Sequence, residues 1–230
     1  MGRPVTGRPV VLRALALALF ASSGCAAQDT TDAEAATAGF APVVLERIDA
    51  FVDSAVADGV APGATVAIGR TDGFTWTRSY GVLDTVGPVA GVPTSATTIW
   101  DLASLTKVIG TTSATMLLVD EGALTLDDRV VDYLPTWSEG DPRKADVTLR
   151  QLLTHRAGLP AFRRWYLEIE GRDAYDRAID AEVLEADPGE RYEYSDIGVM
   201  TLARVLETVS GQSLDALLEA RLFEPVGMVD

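Results

Sequence analysis

Hydrophobic positions along this chain follow two periods, and the switch points divide it into segments. Residues 43–52 carry Val44, Ile48, Phe51 and Val52 at near-helical steps, the spacing that puts apolar side chains on one stripe of an α-helix. A helix packed on a sheet is expected there, ending near Gly59. From residue 64 the period drops to two. Residues 64–70 and 74–80 are rich in β-branched and aromatic side chains and flank Thr71-Asp72-Gly73, which predicts an antiparallel hairpin turned at Asp-Gly. Residues 81–97, rich in Pro, Gly, Ser and Thr, read as a surface connection. The helical period returns at Ser104, with Leu105, Val108, Ile109, Thr112, Met116 and Leu117 in step and Gly122 as the stop.

Further on, Thr148 and Gln151 have the spacing of a capping box, and Gly158 with Pro160 closes the helix they open. His155 falls in its last turn, where an imidazole suits the negative helix end, so its role reads as structural. Residues 163–187 are acidic and aromatic, with no clear element. Pro188-Gly189 turns the chain into Tyr192-Glu193-Tyr194-Ser195-Asp196. Ile197, Met200, Val205, Leu206 and Val209 then predict a helix to Gly211, and Ser213 caps a last one through Leu222.

The beginning of the chain has a different character. Arg3, Arg8 and Arg13 precede a short apolar run at 14–21 and small residues before Cys25; this reads as an export signal over 1–24, since the run is too short for a stable membrane span. The Gly24-Cys25 junction resembles a bacterial lipobox, whose cysteine is lipidated, the other reading being an ordinary secretory signal with an incidental Cys. Residues 25–42, rich in Ala, Thr, Asp and Gln, are expected to be a flexible tether. The organisation is then a leader at 1–24, the tether, a helix-and-hairpin region at 43–97 and a helical region at 98–230. An exported protein at the periplasm or cell surface is expected, touching the membrane only through a lipid anchor.

Composition narrows the chemistry. With 230 residues and 47% hydrophobic content, the chain can bury one good core or two small ones. Its net charge of −15 argues against nucleic acid as a partner. One Cys and one His leave no internal disulfide and too few ligands for a Cys/His zinc site. No G-x-S-x-G elbow occurs. What remains is Ser104 with Lys107 three residues on, one face of one helical turn, in a chain where the small number of lysines makes S-x-x-K a chance match only ~0.1 times. The pattern fits a Ser-Lys acyl-transfer site; it also fits an N-cap serine beside a solvated lysine.

Four blocks in order decide between these. Ala103-Ser104-Leu105-Thr106-Lys107, Leu152-Leu153-Thr154-His155 with Gly158-Leu159-Pro160, Tyr194-Ser195-Asp196, and Leu222-Phe223-Glu224-Pro225-Val226-Gly227-Met228 together resemble the serine β-lactamase-like family of class C β-lactamases, D-alanyl-D-alanine peptidases and related esterases. The resemblance implies an α/β (α+β), β-lactamase/transpeptidase-like fold: a helical domain with a central antiparallel sheet, of which this chain holds the first hairpin. It implies Ser104 as nucleophile, Lys107 and Tyr194 as the groups that activate it, Asp196 in support, and no metal or organic cofactor. Either Lys107 or Tyr194 is the base, each needing its pKa lowered.

Two departures stand out. Asp196 sits where the family commonly has Asn and adds negative charge beside Lys107, favouring its protonated form and moving the base role toward Tyr194. The third motif, a Lys- or His-containing strand ending in Gly, does not occur by residue 230, so a fragment of a longer protein, or a natural truncation, is expected, poorly soluble and without turnover on its own. The expected activity is hydrolysis of an amide, lactam or ester in a small-molecule or peptidoglycan-like substrate. The alternative is a penicillin- or peptidoglycan-binding lipoprotein that does not turn over.

Overall fold

The computed structural model describes residues 28–228, so the leader and Cys25 lie outside the described residues. The chain divides into two units at Trp100/Asp101.

In the first unit, α1 (Asp32–Thr37) and α2 (Pro42–Ala57) precede a hairpin of β1 (Gly63–Gly69) and β2 (Thr75–Gly81). The strands pair antiparallel from Gly63 opposite Gly81 to Gly69 opposite Thr75. The turn follows its sequence signal: Arg70 N–H donates to the Phe74 carbonyl at 2.9 Å, Asp72 accepts from Phe74 N–H at 3.2 Å, and Gly73 takes φ 92°, which glycine alone adopts without strain. Alternation then buries Trp76 and Tyr80.

Two expectations are corrected here. The buried position of α2 is Leu45, with Ile48 and Val52 half-buried, while Phe51 is 76% and Val44 49% exposed. Two strands cover only a narrow strip of a helix, so the wider predicted stripe finds no partner. The described part of the predicted tether is not structureless. Thr31 and Glu34 form a capping box for α1, Ala35 is buried, and Thr30 N–H donates to the Thr77 carbonyl at 2.7 Å. A helix of six residues is too short to show a period.

The second unit is helical: a π-helical segment (Lys107–Thr112) running into α3 (Ser113–Asp120), then α4 (Leu149–Leu153), α5 (Arg172–Ala181), α6 (Asp196–Ser210), α7 (Leu214–Leu218) and α8 (Glu224–Val226). Leu152, Leu159, Ile179, Leu202 and Leu206 are fully buried at its centre. The helix after Ser104 is present but turned. Its first turns are wide, and the Thr112 and Ser113 hydroxyls donate to carbonyls five residues back, Lys107 at 2.9 Å and Val108 at 3.1 Å. The wider turns rotate the remainder of the helix, so Ala114, Thr115 and Leu118 are buried while Met116 is exposed; Leu105 and Val108, ahead of that rotation, are exposed as well. The last helical run passes Leu222 through a π turn (Glu219–Phe223) and stops at Gly227, φ 80°.

The helix α5 was not legible from sequence, because Ile179 is its one fully buried side chain. Its end is held by Lys144, itself fully buried, whose ammonium donates to the carbonyls of Ile179 (2.9 Å), Asp180 (2.9 Å) and Glu182 (3.2 Å) and lies 4.7 Å from the Trp137 ring centroid. A cation satisfying the free carbonyls of a helix C-terminus also meets its negative dipole end. Burial draws the Lys144 pKa down to about 8, against the pull of Asp180, Asp141 and Glu182.

Candidate active site

Ser104 stands in a tight turn just ahead of the helical run. The Asp101 carboxylate accepts from Ala103 N–H at 2.8 Å, and Ala103 takes φ 43°, a left-handed conformation that costs a residue with a Cβ about 1–2 kcal/mol. Such strain is characteristic of positions where a side chain must be presented at a fixed angle. Leu105, Thr106 and Lys107 N–H groups close three-residue turns onto the carbonyls of Leu102, Ala103 and Ser104, which brings the Lys107 side chain over the serine.

Lys107 connects the site. Its ammonium donates to Ser104 Oγ at 3.1 Å, pairs with Asp196 Oδ1 at 2.8 Å and sits 5.1 Å from the Tyr194 ring centroid. Burial pulls its pKa down, but the Asp196 carboxylate and the Tyr194 hydroxyl outweigh burial and hold it above the ordinary lysine value. Tyr194 moves the other way: the Ser104 hydroxyl and then the Lys107 ammonium stabilise its phenolate, so its pKa lies below the ordinary tyrosine value. The ammonium and the phenol titrate as a coupled pair.

Tyr194 and Asp196 flank the start of α6. Ser195 between them is the N-cap: its hydroxyl accepts from Gly198 N–H at 3.1 Å and donates to the Pro160 carbonyl at 2.6 Å, while Asp196 N–H donates to Ala161 O at 2.7 Å. Residues 155–161 are therefore the platform for this segment. Gly158 is required there, since at φ 80° a Cβ would stand 2.2 Å from the Ala186 carbonyl oxygen. Ser104, Lys107, His155 and Tyr194 line a pocket of about 140 Å³ floored by Leu153, Val199 and Leu202.

The structure thus brings Ser104, Lys107, Tyr194 and Asp196 into one site within the second unit. His155 departs from its expected place. It lies beyond the last turn of α4, at φ 55°, and its Nδ1 accepts the Ser195 N–H at 3.1 Å; it does not serve the helix end as a cation. Burial, and then the Lys107 charge, keep its pKa below the ordinary histidine value. Asp101, Ala103 and the capping role of Ser195 were missed from sequence. An Asp two residues ahead of a turn amide, and a Ser directly before an apolar-periodic run, were the available signals. Among the described residues no cluster of His, Cys, Asp and Glu is arranged to hold a metal ion.

The Beta-lactamase family pattern matches residues 48–230, the span that contains all of these side chains. The chain belongs to the beta-lactamase family. Esterase EstB of Burkholderia gladioli is 34% identical over 208 residues, 80% of this chain and 50% of that protein. An Escherichia coli (strain K12) protein named as a D-alanyl-D-alanine carboxypeptidase is 30% identical over 213 residues, 86% of this chain and 49% of its own length. Among solved structures, D-amino acid amidase from Ochrobactrum anthropi SV3, complexed with L-phenylalanine amide, matches with a TM-score of 0.68 at 26% identity, over 81% of this chain and 51% of that one. The chain spans about half the length of these relatives. The β-lactamase/transpeptidase-like fold, mixed α/β, is shared with them, and the relatives are by name hydrolases.

Proposed function

We propose that the complete gene product is a serine hydrolase that forms an acyl-enzyme on Ser104 from an amide, lactam or ester. The observation that carries this reading is Lys107 Nζ at 3.1 Å from Ser104 Oγ and 2.8 Å from Asp196, with Tyr194 against the same ammonium. A serine hydroxyl needs a base to attack at neutral pH. Asp196 keeps Lys107 protonated, and the charged Lys107 favours the Tyr194 phenolate, so Tyr194 takes the base role. As Ser104 Oγ bonds to the carbonyl carbon, its proton passes to Tyr194. When the scissile C–N or C–O bond breaks, Tyr194 returns that proton to the leaving nitrogen or oxygen. Water then gives a proton to Tyr194 and its oxygen to the acyl carbon, the C–Oγ bond breaks, and Ser104 recovers its hydrogen. Lys107 stays charged throughout.

Turnover of a p-nitrophenyl ester and a chromogenic cephalosporin by the complete gene product tests this. Ser104→Ala should lower it by about 10³-fold or more; undiminished turnover in that variant would sink the proposal. The Lys107–Asp196 pair also favours a second reading. A lysine pinned in its charged form leaves deacylation to a half-exposed Tyr194 alone, so a long-lived acyl-enzyme, as in a penicillin-binding protein, is the competing outcome. Stoichiometric labelling of Ser104 without turnover would select it.

We also propose that the protein is exported and lipidated on Cys25. The support is the basic start, the apolar run at 14–21 and the small residues before the cysteine. Incorporation of labelled palmitate in a bacterial host, lost in Cys25→Ser, is the expected result, and labelling that persists in that variant would refute it.

A further inference from the structure

His155 meets the tyrosine segment twice. Its carbonyl oxygen accepts Glu193 N–H at 2.8 Å and its ring Nδ1 accepts Ser195 N–H at 3.1 Å. In extended chain, amides two apart point the same way, so these bonds grip the backbone on either side of Tyr194. Between them the imidazole packs on the Tyr194 ring, centroids 4.6 Å apart and planes at 41°, while Tyr192 meets it edge-on at 6.0 Å. The grip depends on the left-handed backbone at His155, φ 55°, a conformation that costs a residue with a Cβ and is held only where the surroundings require it.

We infer that His155 is a positioning residue that fixes the Tyr194 hydroxyl against Lys107 and Ser104, by clamping the Tyr194 backbone on both sides and packing on its ring. The inference rests on the reading of Tyr194 as the base. It assigns one histidine tautomer, since Nδ1 accepts a hydrogen bond only when the proton is on Nε2. The charged and titratable groups that face the imidazole are Lys107 from the π-helical segment, Asp196 from the start of α6, and Tyr192 and Tyr194 from the segment between. Burial and then the Lys107 charge oppose protonation of the ring while Asp196 favours it, and the first two prevail, holding the ring neutral to below its ordinary pKa. Once the ring is protonated, Ser195 N–H loses its acceptor and a second cation stands beside Lys107.

The test compares His155→Ala with His155→Asn in the complete gene product. The Asn Oδ1 occupies nearly the place of Nδ1, and Asn tolerates the left-handed backbone. Acylation of Ser104 by a fluorescent penicillin or a p-nitrophenyl ester should slow by about 10- to 100-fold in His155→Ala, the effect of about 1 Å of misplacement, with most of the rate recovered in His155→Asn. Equal rates in all three forms, or an Asn variant as slow as the Ala variant, would overturn the inference while leaving the Ser104 reading intact. Should the Ala variant not fold, the acid limb decides. In the wild type the slope of log rate against pH should steepen from about 1 to about 2 below the histidine pKa, because Tyr194 and His155 must then both lose protons. In His155→Asn it should stay near 1, and matching limbs overturn the inference. Ultraviolet titration of Tyr194, taken as the difference from Tyr194→Phe, needs no acylation. The Tyr194 pKa should rise toward its ordinary value in His155→Ala and stay low in His155→Asn; an unmoved pKa in the Ala variant counts against the clamp even if Ser104 proves unreactive.

Discussion

The two units of this chain differ in how much of an apolar core each buries. Among the described residues, the core cluster of the hairpin unit is Ala35, Leu45 and Trp76, whereas that of the helical unit contains eighteen buried side chains. Polar contacts supplement the small core of the hairpin unit. Asp49 on α2 accepts from Arg78 at 2.7 Å and from the Tyr80 hydroxyl at 2.6 Å, and Asp29 accepts from both the backbone and the hydroxyl of Ser79. Burial, and then the Asp49 carboxylate, keep the Tyr80 phenol protonated far above the usual range. The helical unit has polar contacts of its own, Lys144 among them, and adds to them a much larger apolar burial, which is nondirectional and additive in area. The candidate catalytic groups lie in the helical unit, where a packed base can hold strained and charged groups at fixed distances.

Substitutions test this contrast. The largest effect is expected from Leu206→Ala, which opens a cavity in the helical core and should cost about 2–5 kcal/mol, read as a lower denaturant midpoint for the helical unit. A loss under about 1 kcal/mol would mean that this core is loosely packed after all. Asp49→Ala should come next, at about 1–3 kcal/mol, because it strips charged and hydroxyl donors of a shared acceptor. The readout is faster hydrogen exchange at the amides of β1 and β2; unchanged exchange would show that apolar contacts alone hold the hairpin. The smallest effect is expected for Phe51→Ser. At 76% exposure this side chain contributes little, so a change within about 0.5 kcal/mol is expected, measured by thermal melting of the complete gene product. A larger loss would reveal that Phe51 is covered there, and the hairpin unit would then rest on more apolar burial than its own strands provide.

Legibility from sequence tracked how local the determining interactions are. The hairpin and its Asp72-Gly73 turn, the Thr148–Gln151 capping box and the Gly211 stop were readable because a few adjacent residues fix each of them. Lys144 was invisible as a helix-end cation, since its partners lie 35 to 38 positions away. A signal was nonetheless present. In a chain where nearly every basic residue is arginine, a lysine marks a site wanting a compact ammonium in place of a planar fork, and both Lys107 and Lys144 turn out to bind several oxygens or rings at once. The stripe after Ser104 departs from the structure for the opposite reason: a period of 3.6 does not hold through turns that the structure widens, and Met116 moves from the predicted stripe to the surface.

Residue types and their spacing set the chemistry on offer. The sequence contains one serine at helical spacing from one of two lysines, a Tyr194-Ser195-Asp196 segment, and one histidine in a helix-ending motif, and those residue types restrict the reaction class through their intrinsic reactivity. Tertiary structure alone decided how these groups are tuned. Asp196 lies 89 positions from Lys107, yet the two atoms meet at 2.8 Å, and His155 reaches Ser195 across 40. Charge states follow from distance and burial in space, so a one-dimensional pattern names the groups that can exchange a proton, and the fold sets which of them carries it.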